Sequence, residues 1–119
     1  MKVDVLACYY RQAHYAPFFQ RGIEENRQHI SNVFLVNDEE WQGDDLAHAT
    51  RAWHDLPSLF CQWHPHVGHG VGISFNQAMQ SSSAEYVFLT SFDQCFGPEL
   101  LDKITALAHP GHMVIGGVH

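Results

Sequence analysis

Short aliphatic runs alternate along this chain with stretches whose apolar residues recur every three or four positions, and few folds accommodate that alternation. Residues 2–7 have the length and aliphatic character of a buried strand. Tyr15, Phe18, Phe19, Gly22, Ile23 and Asn26 then follow the spacing of a helix with one greasy face, and Pro17 suits only the first turn of such a helix. Residues 33–36 predict a second strand ending at a polar cluster. Leu46, Ala49, Thr50 and Trp53 predict a weaker helix that stops before Pro57. Residues 59–63 predict a third strand, and the proline and glycines within 64–72 a loop. Val71, Phe75, Ala78, Met79 and Ser82 return to helical spacing, and residues 86–90 form the clearest strand. Pro98 opens a last helix carrying Leu100, Leu101, Ile104 and Leu107, and residues 113–118 are a final strand-like run. Strands and helices alternating at this spacing predict an α/β layer sandwich with a mainly parallel sheet.

A length of 119 residues suits a single domain, spanning residues 1–119, and 45% hydrophobic against 16% charged residues argues against disorder. The formal charge of −7, with Lys2 and Lys103 the only lysines, repels phosphate backbones and anionic lipid, which argues against a nucleic-acid partner. Cys8, Cys61 and Cys95 form no close pair, so a disulfide framework or structural zinc site is not expected and a reducing, cytoplasmic setting fits best. No apolar run approaches the roughly 18 to 20 residues of a membrane span, and the first residues lead into a strand and not a signal peptide.

Ligands of parallel sheets bind beyond the carboxyl ends of the strands. Cys8-Tyr9-Tyr10-Arg11 follows the first predicted strand, Asn37-Asp38-Glu39-Glu40 the second and Ser91-Phe92-Asp93-Gln94 the fourth. Carboxylates at two such ends can bind a ribose or base through one and a metal or phosphate-bound cation through the other. The same residues also serve turn chemistry and solubility.

The order of these pieces resembles the amino-terminal, nucleotide-sugar-binding half of a family 2, inverting-type glycosyltransferase of the GT-A fold. The resemblance lies in Ala7-Cys8-Tyr9-Tyr10-Arg11, Val36-Asn37-Asp38, Gly72-Ile73-Ser74-Phe75-Asn76-Gln77-Ala78, Glu85-Tyr86-Val87-Phe88-Leu89, Phe92-Asp93 and Pro98-Glu99-Leu100-Leu101. Together these span nearly the whole chain. It implies a Rossmann-like three-layer sandwich, a truncated GT-A fold, with a nucleotide sugar as partner. On that resemblance Tyr9 lies near the base, Asp38 receives uracil or ribose hydrogen bonds, and Asn76 belongs to the nucleotide site; Arg11 and Arg51 are among the few cations available for a diphosphate, and Arg11, following strand one, is better placed. Asp93 matches the aspartate that ligates Mg²⁺ or Mn²⁺ between diphosphate oxygens. A hard cation suits oxygen ligands and neutralises charge developing on a departing diphosphate.

Several positions depart from the family pattern. Asn37 replaces the first aspartate of the pair after strand two. Beside Asp93 stand Phe92 in one register and Cys95 in the other, leaving one metal carboxylate, enough for a cation already bound to a diphosphate but a poor holder of a free one. Ala7 and Tyr10 occupy the proline and asparagine positions of the first turn. No residue matches the acceptor-side base that would deprotonate an attacking hydroxyl. The resemblance therefore implies hexosyl or related transfer by a chain that is incomplete or inactive alone.

The alternative is a non-catalytic GT-A-like interaction module that self-associates as a homo-oligomer or docks on a partner subunit, as an uncovered sheet edge would invite. The ten histidines include His64, His66 and His69 in one loop, spacing that permits a transition-metal site without supplying a fourth ligand. A nucleophilic role for Cys8 or Cys95 lacks a local Cys-His signature. A receiver-like or flavodoxin-like domain performing phosphoacceptor chemistry would need an acidic cluster after strand one, where Cys8-Tyr9-Tyr10 stands.

Overall fold

The computed structural model describes residues 2–9, 13–37, 60–64, 75–76, 79–91, 93–94 and 97–111. Four strands, β1 (Val3–Tyr9), β2 (Ile30–Asn37), β3 (Phe60–His64) and β4 (Val87–Ser91), form one sheet in the order β3-β2-β1-β4. Every pairing is parallel. Parallel neighbours need crossovers, and the helix α1 (Ala16–Glu25) supplies the one between β1 and β2. A second helix, α2 (Leu100–Leu107), follows β4.

β1 is central, with neighbours on both sides, and Val5, Leu6 and Ala7 are fully buried. Its near-continuous aliphatic run is what a strand covered on both faces requires. On one face Val5, Ala7, Val33 and Leu35 meet Phe19 and Ile23 of α1 and Leu101 of α2. On the other, Leu6 and Phe34 meet Phe75 and Met79 from a helical stretch at 75–76 and 79–81. Helices on both faces of a parallel sheet make three layers, the expected α/β sandwich.

The elements match the expected order, with shifted bounds. β1 runs to Tyr9 and not Ala7, β2 starts at Ile30, and β3 and β4 each begin and end one residue later than the apolar runs suggest. Strand pairing extends past the hydrophobic stretch wherever a neighbour's backbone offers partners; Tyr9 pairs with Asn37, and Ser91 with Cys8. Pro17 sits in the first turn of α1, where its missing N–H costs no helical bond. Phe18, expected on the greasy face, is 56% exposed, because Phe19, Ile23 and Asn26 define the buried stripe and Phe18 falls at its margin. His64, expected to open the loop at 64–72, is the last residue of β3, where it pairs with Val36; the rest of that loop, the predicted helix around 46–53 and the strand-like run at 113–118 lie outside the described residues.

Two buried polar residues tie the elements together, Asp4 within the first aliphatic run and Asn26 closing the apolar stripe of α1. Asp4 is fully buried; its carboxylate accepts from Asn32 Nδ2 at 3.0 Å and from the Ser82 hydroxyl. Asn26, also fully buried, donates from Nδ2 to the carbonyls of Gly22 (2.8 Å) and Gly97 (2.9 Å) and accepts the Leu101 N–H at 3.0 Å. Glu99 gives no side-chain cap to α2, so Asn26 caps one of its orphan N–H groups from across the chain.

Candidate functional site

The strand order fixes where a ligand can sit. From β1 the chain moves outward through β2 to β3, and β4 then pairs on the opposite side of β1. The crevice of such a sheet opens beyond the carboxyl ends of the strands where that direction reverses, between β1 and β4.

Register assembles this edge. Tyr9 pairs with Asn37, Cys8 with Ser91 and Val36 with His64, so the last residues of all four strands end side by side. Adjacent strands lie about 4.8 Å apart, which brings the carboxyl ends of β1, β2 and β4 into one neighbourhood. Of the predicted site residues, Tyr9 is the last residue of β1 and Asp93 stands two residues beyond β4. Asn76 is exposed and helical, one residue after Phe75, which packs on Leu6 and Phe34. Arg11 and Asp38 lie outside the described residues, as do His66, His69 and Cys95. Among the described residues, no three His, Cys, Asp or Glu side chains come together as a metal-binding group.

The turn after β4 is held by its own side chains. The Gln94 N–H donates to the Ser91 carbonyl at 3.1 Å, and the Thr90 hydroxyl, 8% exposed, donates to Gln94 Oε1 at 3.0 Å. The Ser91 hydroxyl donates to Asp93 Oδ1. Asp93 itself is exposed, and its Oδ2 has no partner among the described residues. An accessible carboxylate oxygen with unused acceptor capacity is a fitting ligand for a hard divalent cation.

Ser91 is the residue that sequence reasoning missed. Two residues before Asp93, its hydroxyl contacts the carboxylate. The visible signal was a polar residue at the end of the clearest strand, two positions before an aspartate.

An all-parallel sheet ordered β3-β2-β1-β4, with helices on both faces and a carboxylate at the reversal point, defines a Rossmann-like α/β fold of the kind that binds ligands at its carboxyl edge. A solved structure shares it: the mannosyltransferase PcManGT from Pyrobaculum calidifontis, determined in complex with GDP-Man and Mn²⁺, superposes with a TM-score of 0.76 over 92% of this chain at 21% identity. The chain spans 33% of that enzyme's length. The likeness shows a glycosyltransferase-like fold. No family model and no curated protein matches the chain. No helix among the described residues is long and apolar enough to cross a membrane.

Proposed function

We propose that this chain is the nucleotide-sugar-binding part of a glycosyltransferase, a single domain of the GT-A type resembling family 2. The observation that carries the reading is the placement of Asp93 beside the reversal between β1 and β4, in a fold shared with an enzyme solved with GDP-Man and Mn²⁺. Tyr9 and Asp38 hold the nucleoside, Arg11 faces the diphosphate, Asn76 borders the nucleotide, and Asp93 holds Mg²⁺ or Mn²⁺ through an oxygen. A bound cation supplies neutralisation of diphosphate charge. The chain's own part is to grip the nucleotide at the sheet edge and to present one carboxylate, already aimed by Ser91. Transfer of a hexosyl or related group to an acceptor hydroxyl then needs an acceptor site and base, for which no residue of this chain is assigned.

Calorimetry with GDP, UDP and dTDP, each with and without Mn²⁺, tests the reading. Saturable binding of at least one diphosphate, strengthened by Mn²⁺ and lost in Asp38→Ala, is expected. No binding of any of the three with Mn²⁺ present overturns it.

A second reading, a non-catalytic module that self-associates or docks on a partner subunit, draws on one observation. Leu89 in β4 is 49% exposed, although it pairs with the fully buried Leu6. A half-open apolar residue on a strand that terminates the described sheet is a feature of docking surfaces.

A further inference from the structure

His14 is an exposed side chain to which neither the packing nor the proposed nucleotide contacts give a role. It lies in the single 3₁₀ turn Ala13–Tyr15 that leads directly into α1. Its ring stands against that of Tyr15, with centroids 4.2 Å apart and planes inclined at 41°, and Tyr15 is half-buried against the core formed by β1, β2 and α1. The imidazole is therefore backed on one side by an anchored aromatic ring and open to solvent on another. A flat ring already held in place offers a stacking surface at little ordering cost.

Connectivity fixes where this pair stands. α1 is the crossover between β1 and β2, and its Phe19 and Ile23 pack with Val5 and Ala7 of β1 and with Val33 and Leu35 of β2. The 3₁₀ turn begins four residues after β1 ends at Tyr9, so the chain allows at most about 18 Å between the Cα atoms of Tyr9 and His14. The leading end of α1 thus adjoins the carboxyl ends of β1 and β2, whereas β4 lies on the far side of β1. Tyr9 ends β1 and Asp38 follows β2, the two residues that hold the nucleoside in the reading above, while Asp93 follows β4. The aromatic pair stands at the nucleoside end of the edge. Every nucleobase has a π-face, and an aromatic side chain covers such a face whatever the base.

From this placement we infer that His14 is a nucleobase-stacking residue: the base of a bound nucleoside diphosphate lies on the imidazole, which Tyr15 supports from behind. The inference rests on the reading of this edge as a nucleotide site and adds to it a contact that comes from the crossover and not from a strand end.

The test is calorimetry of the 119-residue chain with GDP and with UDP, each in the presence of Mn²⁺. His14→Leu keeps an apolar side chain of comparable size but removes the π-face, and it is expected to weaken both nucleotides about tenfold, the effect of one stacked base. His14→Phe restores the π-face without the ring nitrogens and is expected to bind both within about twofold of wild type. Because His14 is exposed, both variants should melt with the wild type. In proton NMR, the ring C–H signals that wild type shows and His14→Phe lacks should move on saturation with GDP. Wild type binding the nucleotides while His14→Leu binds them as tightly, a loss that His14→Phe does not restore, or His14 signals that GDP leaves in place overturns the inference and leaves the nucleotide site standing. Failure of wild type to bind either nucleotide with Mn²⁺ overturns the site and the inference together.

Discussion

At the amino edge of the sheet, Asp4 and Asn26 are fully buried and their side-chain hydrogen bonds end on Asn32, Ser82, Gly22, Gly97 and Leu101. At the carboxyl edge, Asp93 is exposed, with one oxygen given to Ser91 and the other without a described partner. Asn26 belongs to the amino edge because α1 runs back from the end of β1 and Asn26 lies just before β2 begins at Ile30. Both edges use short polar side chains next to strand ends. What separates them is leftover capacity: a buried polar group must be satisfied internally, whereas an accessible carboxylate can keep an acceptor for something that arrives. Stability and binding should therefore respond to mutations at opposite edges.

The largest expected effect on stability is at Asn26. Asn26→Ala removes three hydrogen bonds at once and strands the Leu101 N–H at the start of α2, costing about 2–3 kcal/mol and lowering the melting temperature by about 10 °C. Thermal unfolding followed by circular dichroism measures it. A shift of only a degree or two would mean that water replaces this clasp and that the amino edge is less closed than its burial implies.

Ser82→Ala comes next. It takes one donor from a fully buried carboxylate, and the expected loss is about 1–2 kcal/mol in urea unfolding, with the slope unchanged. Because Ser82 lies at the amino edge, affinity for a metal–diphosphate complex should stay at the wild-type value in the same variant.

Asp93→Asn reverses the pattern. The side chain is exposed, so unfolding should change by less than about 0.5 kcal/mol. Calorimetric affinity for GDP in the presence of Mn²⁺ should fall about tenfold, while affinity in its absence stays as in wild type, because an amide brings no charge to the cation. Equal loss with and without Mn²⁺ would move Asp93 from metal ligand to direct nucleotide contact.

These contrasts also mark what the amino-acid sequence discloses. The strand and helix order was legible because burial imposes periods: β1 reads as aliphatic since helices cover both its faces, and Phe19 and Ile23 recur because one side of α1 faces the sheet. The place of Asp93 in the fold was legible because it stands two residues beyond the most regular strand. The bonds of Asp4 and Asn26 were not, although Asn26 keeps the helical spacing, since nothing local distinguishes a polar residue with a buried partner far along the chain from one in water; two of the three partners of Asn26 are 71 and 75 positions away. Ser91 fell between the two cases. Its partner is two residues off, but a serine at a strand end is too common to announce a bond to a carboxylate.

The smallest expected effect concerns Leu89, which decides between a binding domain and a docking module. β4 is the outer strand of the described sheet, and its exposed leucine is in register with the buried Leu6, so the cover over Leu6 does not extend fully across β4. Since about half of Leu89 is already in water, Leu89→Ser should cost no more than about 1 kcal/mol, below what a fully buried leucine would lose. In the nucleotide-binding reading, light scattering gives one mass for wild type and variant at every concentration. A wild-type mass that rises with concentration, and a variant in which the rise disappears, would assign this strand to self-association and favour the module instead.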